Sequence, residues 1–341
     1  MIVIKPDYYD AFRCIASNCP DSCCKEWEVQ VDESSAAFYR SLPGALGETL
    51  RSVLRTEDGE TVMTIQQGRC PMWREDGLCR IQAELGEEAL CKTCREFPRL
   101  KHDYGDFAEL GLELSCPEAA RFILDAAEVP MVSLEVQGGE EPEYDTEAMA
   151  LLKASRETAR QLLSGSDRDP GKTLAALLLW GCQAQGELDG EAPSEFDMDT
   201  AFASIEELVT TSSTLPEDTF TGLRRFFSGL EILTPQWRVR LGEDSAMVPL
   251  SPAVLPLARY LVDRYWLQAV SDYDLYCRVK FLVVSCILVS GLGSSFPETA
   301  QLYSKEIENN IDNVEAILDA AYSHPAFTDA RLLGLLLGPL A

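Results

Sequence analysis

The amino-acid sequence predicts a mainly α-helical protein in which a Cys-rich, metal-binding amino-terminal module with small β-hairpins packs on a larger α-helical domain. Two observations lead to this fold class. Nine of the twelve cysteines lie within the first 116 residues, and almost everything after the acidic stretch Gly138–Asp145 has the apolar periodicity of helices. We therefore expect a cysteine-cluster module over residues 1–130 and an α-helical domain over residues 131–341. The 341 residues, of which 46% are hydrophobic, suffice for a large core.

The first half of the module alternates helical and extended patterns. The predicted elements are a helical turn over Asp7–Arg13, an extended segment over Trp27–Val31, helices over Glu33–Leu42 and Ala45–Arg55, and a strand over Thr61–Gln66. Asp76 and Gly77 then favour a turn between Cys70 and Cys79. A hairpin at this turn would bring the two thiols together.

A second hairpin is expected near the end of the module. The strand candidates Leu100–Tyr104 and Phe107–Leu114 flank a Gly-Asp turn, and the second strand leads directly to Cys116. The segment Pro117–Leu124 then reads as a helix, because proline is favoured in the first helical turn. The hairpin therefore delivers one more thiol to the start of a helix.

The second domain is predicted to contain eight helices. They cover Glu147–Leu163, Lys172–Gln183, Thr200–Val209, Phe220–Leu233, Pro252–Ala269, Tyr276–Val289, Glu298–Ala320 and Thr328–Leu337. Asp145 and Ser251 precede two of them and are residue types that cap helix starts. A crevice between the two domains is the expected place for a ligand, because pockets favour such junctions.

The early cysteines have the spacing of metal ligands. Four residues separate Cys14 from Cys19, and three separate Cys19 from the pair Cys23 and Cys24. Far downstream, two residues separate Cys91 from Cys94. Such short intervals let one loop offer several thiolates to one centre. Four thiolates satisfy either zinc or an iron–sulfur cluster, so the thiols suit one cluster with spares or two zinc sites. Successive side chains in an extended segment point apart, so adjacent cysteines need not share a centre.

The remaining three cysteines are predicted to be buried and chemically inert. Cys182, Cys277 and Cys286 lie on apolar helical segments, far along the sequence from the early group. A free cysteine behaves as a small hydrophobic residue in such places. We therefore leave these three out of the metal site.

Charge and hydropathy exclude some classes of partner. With 29 basic and 56 acidic residues the formal net charge is −27. This charge argues against a nucleic-acid partner and suits a basic or lysine-bearing one. The alternative is that the acidic residues only keep the protein soluble. The longest apolar run, Phe281–Leu292, is too short to cross a membrane. No secretory peptide is visible at the start, so we expect a cytoplasmic protein with reduced thiols. The oligomeric state stays open.

Common catalytic motifs are missing from the sequence. A Gly-x-Gly-x-x-Gly turn after a strand does not occur, and the C-x3-C-x2-C motif of radical enzymes would need a cysteine where Glu26 stands. Two histidines, His102 and His324, are too few for a convincing Cys-His or Ser-His arrangement. The sequence therefore identifies neither catalytic nor cofactor-binding residues.

Several short phrases resemble a known family. They are Phe12-Arg13-Cys14, Asp21-Ser22-Cys23-Cys24, Cys70-Pro71, Asp76-Gly77-Leu78-Cys79, Cys94-Arg95, Phe97-Pro98-Arg99 and Ser115-Cys116-Pro117-Glu118. Together they resemble the flagellin lysine-N-methylase family, within the wider CxxCxxCC cysteine-cluster proteins. The resemblance covers roughly the first 125 residues.

The resemblance implies an iron–sulfur protein, with a [4Fe–4S] cluster, that uses S-adenosylmethionine to methylate lysine ε-amines on flagellin or another protein with exposed lysines. The metal ligands expected from it are Cys14, Cys19, Cys23, Cys24, Cys70, Cys79, Cys94 and Cys116. Cys91 is the early cysteine whose role as a metal ligand the resemblance supports least. Zinc remains the alternative metal.

Lysine methylation sets simple chemical requirements. A deprotonated amine must align with a methyl sulfonium, so an acidic or aromatic pocket and a proton acceptor suffice. Trp27, Trp73, Tyr8 and Tyr104 lie near the cysteine phrases and either line such a pocket or pack in a core. Two non-catalytic alternatives stay open. One is a structural or electron-carrying metal protein, and the other is a zinc-stabilised adaptor whose acidic helical domain docks a basic partner.

Overall fold

A computed structural model describes residues 1–57, 59–126, 128–164, 168–193, 195–211, 219–243, 249–293 and 295–337. Within these residues the protein is mainly helical, with two small β-sheets. The strands are β1 (Ile2–Pro6), β2 (Val29–Gln30), β3 (Leu54–Glu57), β4 (Glu60–Met63), β5 (Arg99–Asp103), β6 (Phe107–Leu112) and β7 (Met131–Glu135). The helices are α1 (Glu33–Ser41), α2 (Gly44–Val53), α3 (Arg80–Leu85), α4 (Lys92–Glu96), α5 (Pro117–Asp125), α6 (Thr146–Leu163), α7 (Pro170–Leu188), α8 (Met198–Thr211), α9 (Thr219–Ser228), α10 (Pro235–Gly242), α11 (Val254–Tyr265), α12 (Leu275–Gly291), α13 (Phe296–Tyr303), α14 (Ile311–Ser323) and α15 (Asp329–Leu337).

The larger sheet has the strand order β5-β6-β1-β7. The predicted second hairpin is confirmed: β5 and β6 pair antiparallel, and Gly105 in their turn has a positive φ of 89°. The terminal strand β1 pairs parallel to β6 and antiparallel to β7. Sequence patterns missed both β1 and β7, because each is a short strand whose pairing partner is distant in sequence. Strand β7 begins just beyond the expected boundary at residue 130, so the sheet spans that point.

The smaller sheet has the order β2-β4-β3 and lies beside α1 and α2. The predicted helix over Ala45–Arg55 ends earlier, at Val53, because the chain turns directly into β3. Strand β3 then pairs with β4, where Leu54 faces Met63 in register. The predicted strand from Thr61 is confirmed in position but is shorter than expected.

The turn between Cys70 and Cys79 forms without flanking strands among the described residues. Hydrogen bonds from the Arg74 amide to the Leu78 carbonyl and from the Arg80 amide to the Met72 carbonyl close it, and Gly77 has a positive φ of 79°. The predicted hairpin is therefore reduced to a tight turn. The short helix α3 follows it directly.

The described residues form two hydrophobic cores. The small core contains Val29, Tyr39, Leu50, Met72 and Cys91, all from the segment between β2 and α4. The large core combines the helices with residues of β6 and with Phe12. The larger sheet therefore packs with the helices, while the small core stands beside them.

Helix α12 passes through the centre of the large core. Every residue from Leu275 to Val289 is buried, which confirms that the apolar run is a core helix. Within the described part of the chain, no helix combines the length and the hydropathy needed to cross a membrane.

The carboxy-terminal helices depart from the predicted pattern at one point. The sequence predicts one continuous helix over Glu298–Ala320, but α13 ends at Tyr303 and the chain continues as a π-helical segment over Ser304–Glu308. The Asn310 side chain then accepts a hydrogen bond from the Asn313 amide and caps a new helix, α14. The prediction of one helix was wrong because this capping residue starts the helix afresh.

Candidate functional site

A cleft of about 710 Å³ lies between the cysteine-containing segments and the carboxy-terminal helices. It lies where a ligand site was expected, between the amino-terminal segments and the helices. Its walls come from three stretches near the cysteines and from segments around α11 and α14. The lining residues are Cys23, Glu26, Trp27, Glu28, Val29, Thr93, Cys94, Phe97, Glu113, Glu231, Leu233, Arg264, Lys305, Glu306, Glu308, Asn309, Asn310 and Ile311.

One group of thiols surrounds the start of α5. Cys14 and Cys19 flank a short 3-10 turn, and Cys116 immediately precedes the helix. Burial raises the pKa of Cys116 to about 11, and the neighbouring Cys19 and Cys14 thiols add to the rise. These three predicted ligands are therefore neighbours.

A second group of thiols centres on Cys24. Interaction with the neighbouring thiols of Cys23 and Cys70 lowers the pKa of Cys24 to about 3. The same interactions raise the pKa of Cys23 and Cys70, and the Cys70 thiol donates a hydrogen bond to the Met63 sulfur at 3.5 Å. Cys79 belongs to this group too, because Cys24 and Cys91 influence its pKa. A thiolate at Cys24 is the form in which sulfur binds metals.

Cys91 and Cys94 form a pair at the start of α4. The Cys94 thiol donates a hydrogen bond to Cys91 and lowers the pKa of Cys91 to about 7. The same bond raises the pKa of Cys94, and the nearby Cys24 and Cys23 thiols add to that rise. Cys91, the ligand that carried over least well, is thus the direct partner of a predicted ligand. The two-residue spacing at a helix start is the sequence signal that supports it.

The three later cysteines divide into two kinds. Cys277 and Cys286 are buried in α12 as predicted. Cys182 is exposed, so the prediction that it is buried was wrong. Cys182 lies in the second half of α7, where Gln183, Gln185 and Gly186 are only half-buried, whereas Leu174 to Leu178 are fully buried.

The donor chemistry of the early cysteines fits a thiophilic metal. All nine early cysteines are free thiols. In the described part of the chain, no three His, Cys, Asp or Glu side chains already converge as ligands of one ion. Cys23 is close to thiols of both groups, since Cys24, Cys14 and Cys116 all raise its pKa. Cys23 and Cys94 both line the cleft.

Carboxylates cover much of the opposite wall of the cleft. Glu308 accepts hydrogen bonds from the hydroxyls of Tyr260 at 3.2 Å and Tyr265 at 3.0 Å, and its carboxylate is 3.4 Å from an Arg264 nitrogen. Glu306 accepts from the Leu233 and Thr234 amides, both at 2.8 Å. These two side chains are thus engaged in holding the helices together.

Glu113 is a carboxylate of a different kind. It lies between β6 and α5 and accepts a hydrogen bond from the Ser115 hydroxyl at 3.2 Å. Burial raises the pKa of Glu113, while the Arg264 guanidinium and the Ser115 hydroxyl oppose the rise. Raised pKa values of this origin are common among acid–base groups in active sites. No sequence signal identifies Glu113, because its surroundings arise only from the fold.

The aromatic residues near the cysteines have separate places. Trp27 lines the cleft beside Phe97, and their ring centroids are 6.1 Å apart. Of the other three candidates, Tyr8 stacks on Phe122, Tyr104 stacks on Phe107, and Trp73 lies beneath the Arg69 guanidinium. Trp27 is therefore the member of this group that is placed to meet a ligand in the cleft.

Comparison with known proteins places the chain in a family. No family model and no solved structure matches it. The flagellar biosynthetic protein FliU of Salmonella muenchen is 35% identical over 130 residues, which are 36% of this chain and 77% of FliU. The lysine-N-methylases of Salmonella typhimurium and Salmonella choleraesuis are each 34% identical over 130 residues. The match covers only 32% of the length of each lysine-N-methylase. The chain belongs to the family of FliU and the lysine-N-methylases.

Proposed function

We propose that the protein is an S-adenosylmethionine-dependent protein-lysine N-methyltransferase that contains a thiol-held [4Fe–4S] cluster and acts on flagellin or another protein with exposed lysines. The names of the relatives support the reaction. The observation that carries the proposal is the cleft, in which Cys23 and Cys94 share one cavity with Trp27 and Glu113. Its volume of about 710 Å³ is typical of small-molecule sites.

The cleft has the chemistry to receive a lysine side chain. The indole of Trp27 already has the Lys305 ammonium 5.2 Å from its ring centroid, so this ring attracts cations at the wall of the cleft. Carboxylates along the walls attract cations, and the net charge of −27 extends that attraction over the whole molecule. A lysine ammonium therefore gains favourable contacts on entering the cleft.

Glu113 is the proposed proton acceptor. A lysine ε-amine attacks only after it loses a proton, and a carboxylate with a raised pKa is a stronger base than an ordinary one. S-adenosylmethionine, when bound, supplies the methyl group, so that a C–N bond forms, the S–CH3 bond breaks and its electron pair remains on sulfur. The proton lost by the amine passes to the Glu113 carboxylate, which returns it to solvent.

The residues proposed to hold the metal are those near the cleft. Cys23, Cys24, Cys70, Cys79 and Cys94 supply the thiolates, and Cys91 joins them as the partner of Cys94. Through a shared cluster these thiolates would join their segments of chain and so fix the wall of the cleft. Cys14, Cys19 and Cys116 then either remain unligated beside the cluster or form a second site that binds zinc.

The proposal includes the cellular compartment of the protein. Free thiols in this number suit a reducing compartment, so we place the protein in the cytoplasm. We also propose that it belongs to the wider CxxCxxCC cysteine-cluster proteins, which the cysteine phrases support.

Methyl transfer is the test of this function. The chain, purified anaerobically, is incubated with methyl-labelled S-adenosylmethionine and flagellin, and peptides are analysed by mass spectrometry. We expect labelled lysines, a brown colour and stoichiometric iron. Colourless protein with bound zinc would assign the alternative metal. Absence of both methyl transfer and cofactor binding, with the metal intact, would instead favour a non-catalytic metal-binding protein.

A further inference from the structure

Lys305 is a buried cation in the wall of the cleft that the proposed reaction does not use. Its side chain is 2% exposed. The Nζ atom lies 2.7 Å from a Glu26 carboxylate oxygen, 2.9 Å from an Asp21 carboxylate oxygen and 5.2 Å from the ring centroid of Trp27. Burial opposes the charged form, but these carboxylates outweigh it and raise the pKa of Lys305. The side chain therefore stays an ammonium and is no nucleophile.

Both carboxylates lie on the loop that carries the central thiols. We call residues Cys19–Trp27 the thiol loop. Asp21 precedes Cys23 by two residues, and Glu26 follows Cys24 by two. Glu26 has a positive φ of 75°, which is rare for a residue other than glycine. Surrounding contacts must hold such a conformation, and here they are the Gly68 carbonyl, which accepts from the Glu26 amide at 3.0 Å, and Lys305.

Lys305 itself is anchored to the helical part of the molecule. It belongs to the π-helical segment Ser304–Glu308, whose five residues are all buried. The next residue, Glu306, binds two amides before α10, and Glu308 binds the two tyrosines of α11. Short π-helical segments occur frequently at functional sites. The backbone of Lys305 is therefore fixed from both sides while its ammonium reaches the thiol loop.

We propose that Lys305 is a positioning residue that fastens the thiol loop to the helices and so sets where Cys23 and Cys24 stand at the cleft. Without the ammonium, Glu26 would lose its 2.7 Å partner, and Asp21 would keep only the weaker ion pair with Lys25 at 3.6 Å. Breaking an ion pair whose cation is buried is destabilising, because the carboxylates are left with less compensation. The loop would then swing away and carry its thiols with it. The inference goes beyond the proposed function, since it concerns the loop whether or not the methyl group is transferred.

The test measures the reactivity of individual cysteines. The full chain as purified and its Lys305→Met variant receive a brief pulse of iodoacetamide, and mass spectrometry gives the alkylation rate at each cysteine. We expect Cys23 and Cys24 to react at least about tenfold faster in the variant. The exposed Cys182 serves as an internal reference and should react at the same rate in both proteins.

Lys280→Met is the matched control. Lys280 is also a buried lysine, with its ammonium 2.8 Å from Asp329 and 3.0 Å from the Ala321 carbonyl oxygen, but its partners lie on α14 and α15 rather than on the thiol loop. We expect wild-type rates at Cys23 and Cys24 in this variant. Equal acceleration in both variants would mean general loosening and would overturn the inference, as would wild-type rates in Lys305→Met.

A triple variant covers the case in which Lys305→Met does not fold. Adding Asp21→Asn and Glu26→Gln removes both carboxylates, so the variant has neither the ion pairs with Lys305 nor the repulsion between the two negative charges. Replacing both partners of an ion pair costs far less than removing one, so this variant should fold. Its thiol loop should still react faster than wild type, because the ammonium no longer ties the loop to the helices. Wild-type rates in the folded triple variant would contradict a positioning role for Lys305. Since no readout involves methylation, failure of the enzyme proposal leaves this result intact.

Discussion

Single side chains gain their chemistry here from neighbours that are remote in sequence. The cysteines were identifiable from spacing alone, because thiols crowd into short intervals for few reasons other than metal binding. Glu113 could not be identified from the sequence, since nothing distinguishes one glutamate among the 56 acidic residues until folding buries it. Cys91 was undervalued for a related reason: only the structure places its sulfur against Cys94.

Glu113→Gln tests the proton acceptor. Loss of a general base typically lowers the rate by about 10² to 10⁴, so we expect methyl transfer to fall by that order while cofactor binding persists. Glu48→Gln, on an exposed position of α2 and not among the residues that line the cleft, should leave the rate within about twofold, because surface changes away from reacting groups have small effects. Equal rates in wild type and Glu113→Gln would remove Glu113 from the mechanism.

The same residue predicts how activity and stability depend on pH. Only the ionised carboxylate accepts a proton, so wild-type activity should fall as the pH drops through the raised pKa of Glu113, above 4.5. Burial of the charge costs stability once the group ionises. The penalty is absent below the unfolded pKa and complete above the folded one. Thermal unfolding should accordingly show Glu113→Gln more stable than wild type at pH 7, with no difference in acid.

Cys24→Ser tests whether the thiols grouped around Cys24 bind the metal. Serine cannot supply a thiolate, so the variant should retain less metal per chain than wild type, as measured by elemental analysis. Cys182→Ser is the matched control on an exposed helix face and should retain wild-type metal. If both variants kept the full metal content, Cys24 would be no ligand.

Secondary structure followed the sequence where local signals were strong. The helices α6 to α9, α11, α12 and α15 and the hairpin of β5 and β6 are confirmed, because periodicity and turn residues act over short distances, whereas α10 was not predicted. The break between α13 and α14 was not predicted. Apolar spacing continues across it, while the capping by Asn310 competes locally with continuation of the helix. This break matters to function because it contains Lys305, Glu306 and Glu308.

Asp32 joins two elements of the cysteine region. Its carboxylate accepts hydrogen bonds from the Ser35 amide in α1 and from the Lys92 amide in α4, directly after Cys91. The Lys92 bond contributes most to lowering the pKa of Asp32. We expect Asp32→Ala to lose about 1 kcal/mol of stability, the usual cost of a lost cap.

The pH dependence of that effect has a definite sign. Because the folded pKa is lowered, the contribution of Asp32 is complete above the unfolded value of 3.8 and disappears as the pH falls through the folded pKa. Chemical denaturation of wild type and Asp32→Ala at pH 7 and in acid measures this. A difference between the proteins that grew in acid would contradict the assignment.

The whole molecule is strongly acidic, and its cleft lies between a cysteine-bearing part and a helical part. The sequence was sufficient to expect such a crevice from general rules about domain junctions. It was insufficient to identify the lining, because the walls combine residues from Cys23 to Ile311 whose proximity depends on long-range packing. The division at residue 130 stays a prediction.

Charge predicts a salt dependence at this scale. A net charge of −27 should attract a lysine-rich protein substrate, and salt screens such attraction. We expect the KM for that substrate to rise on the order of tenfold between low and high salt, with kcat little changed. Thermal unfolding at the same salt concentrations is the control for loss of structure. A KM independent of salt would exclude electrostatic recruitment.

The most direct measurement of the central claim is a crystal structure of the anaerobically purified protein with S-adenosylmethionine, with anomalous scattering recorded at the iron and zinc edges. The account predicts iron bound by Cys24 and its neighbouring thiols, and the cofactor in the cleft beside Trp27 with its methyl group facing Glu113. Early cysteines without any metal, together with a cofactor bound outside the cleft, would contradict it.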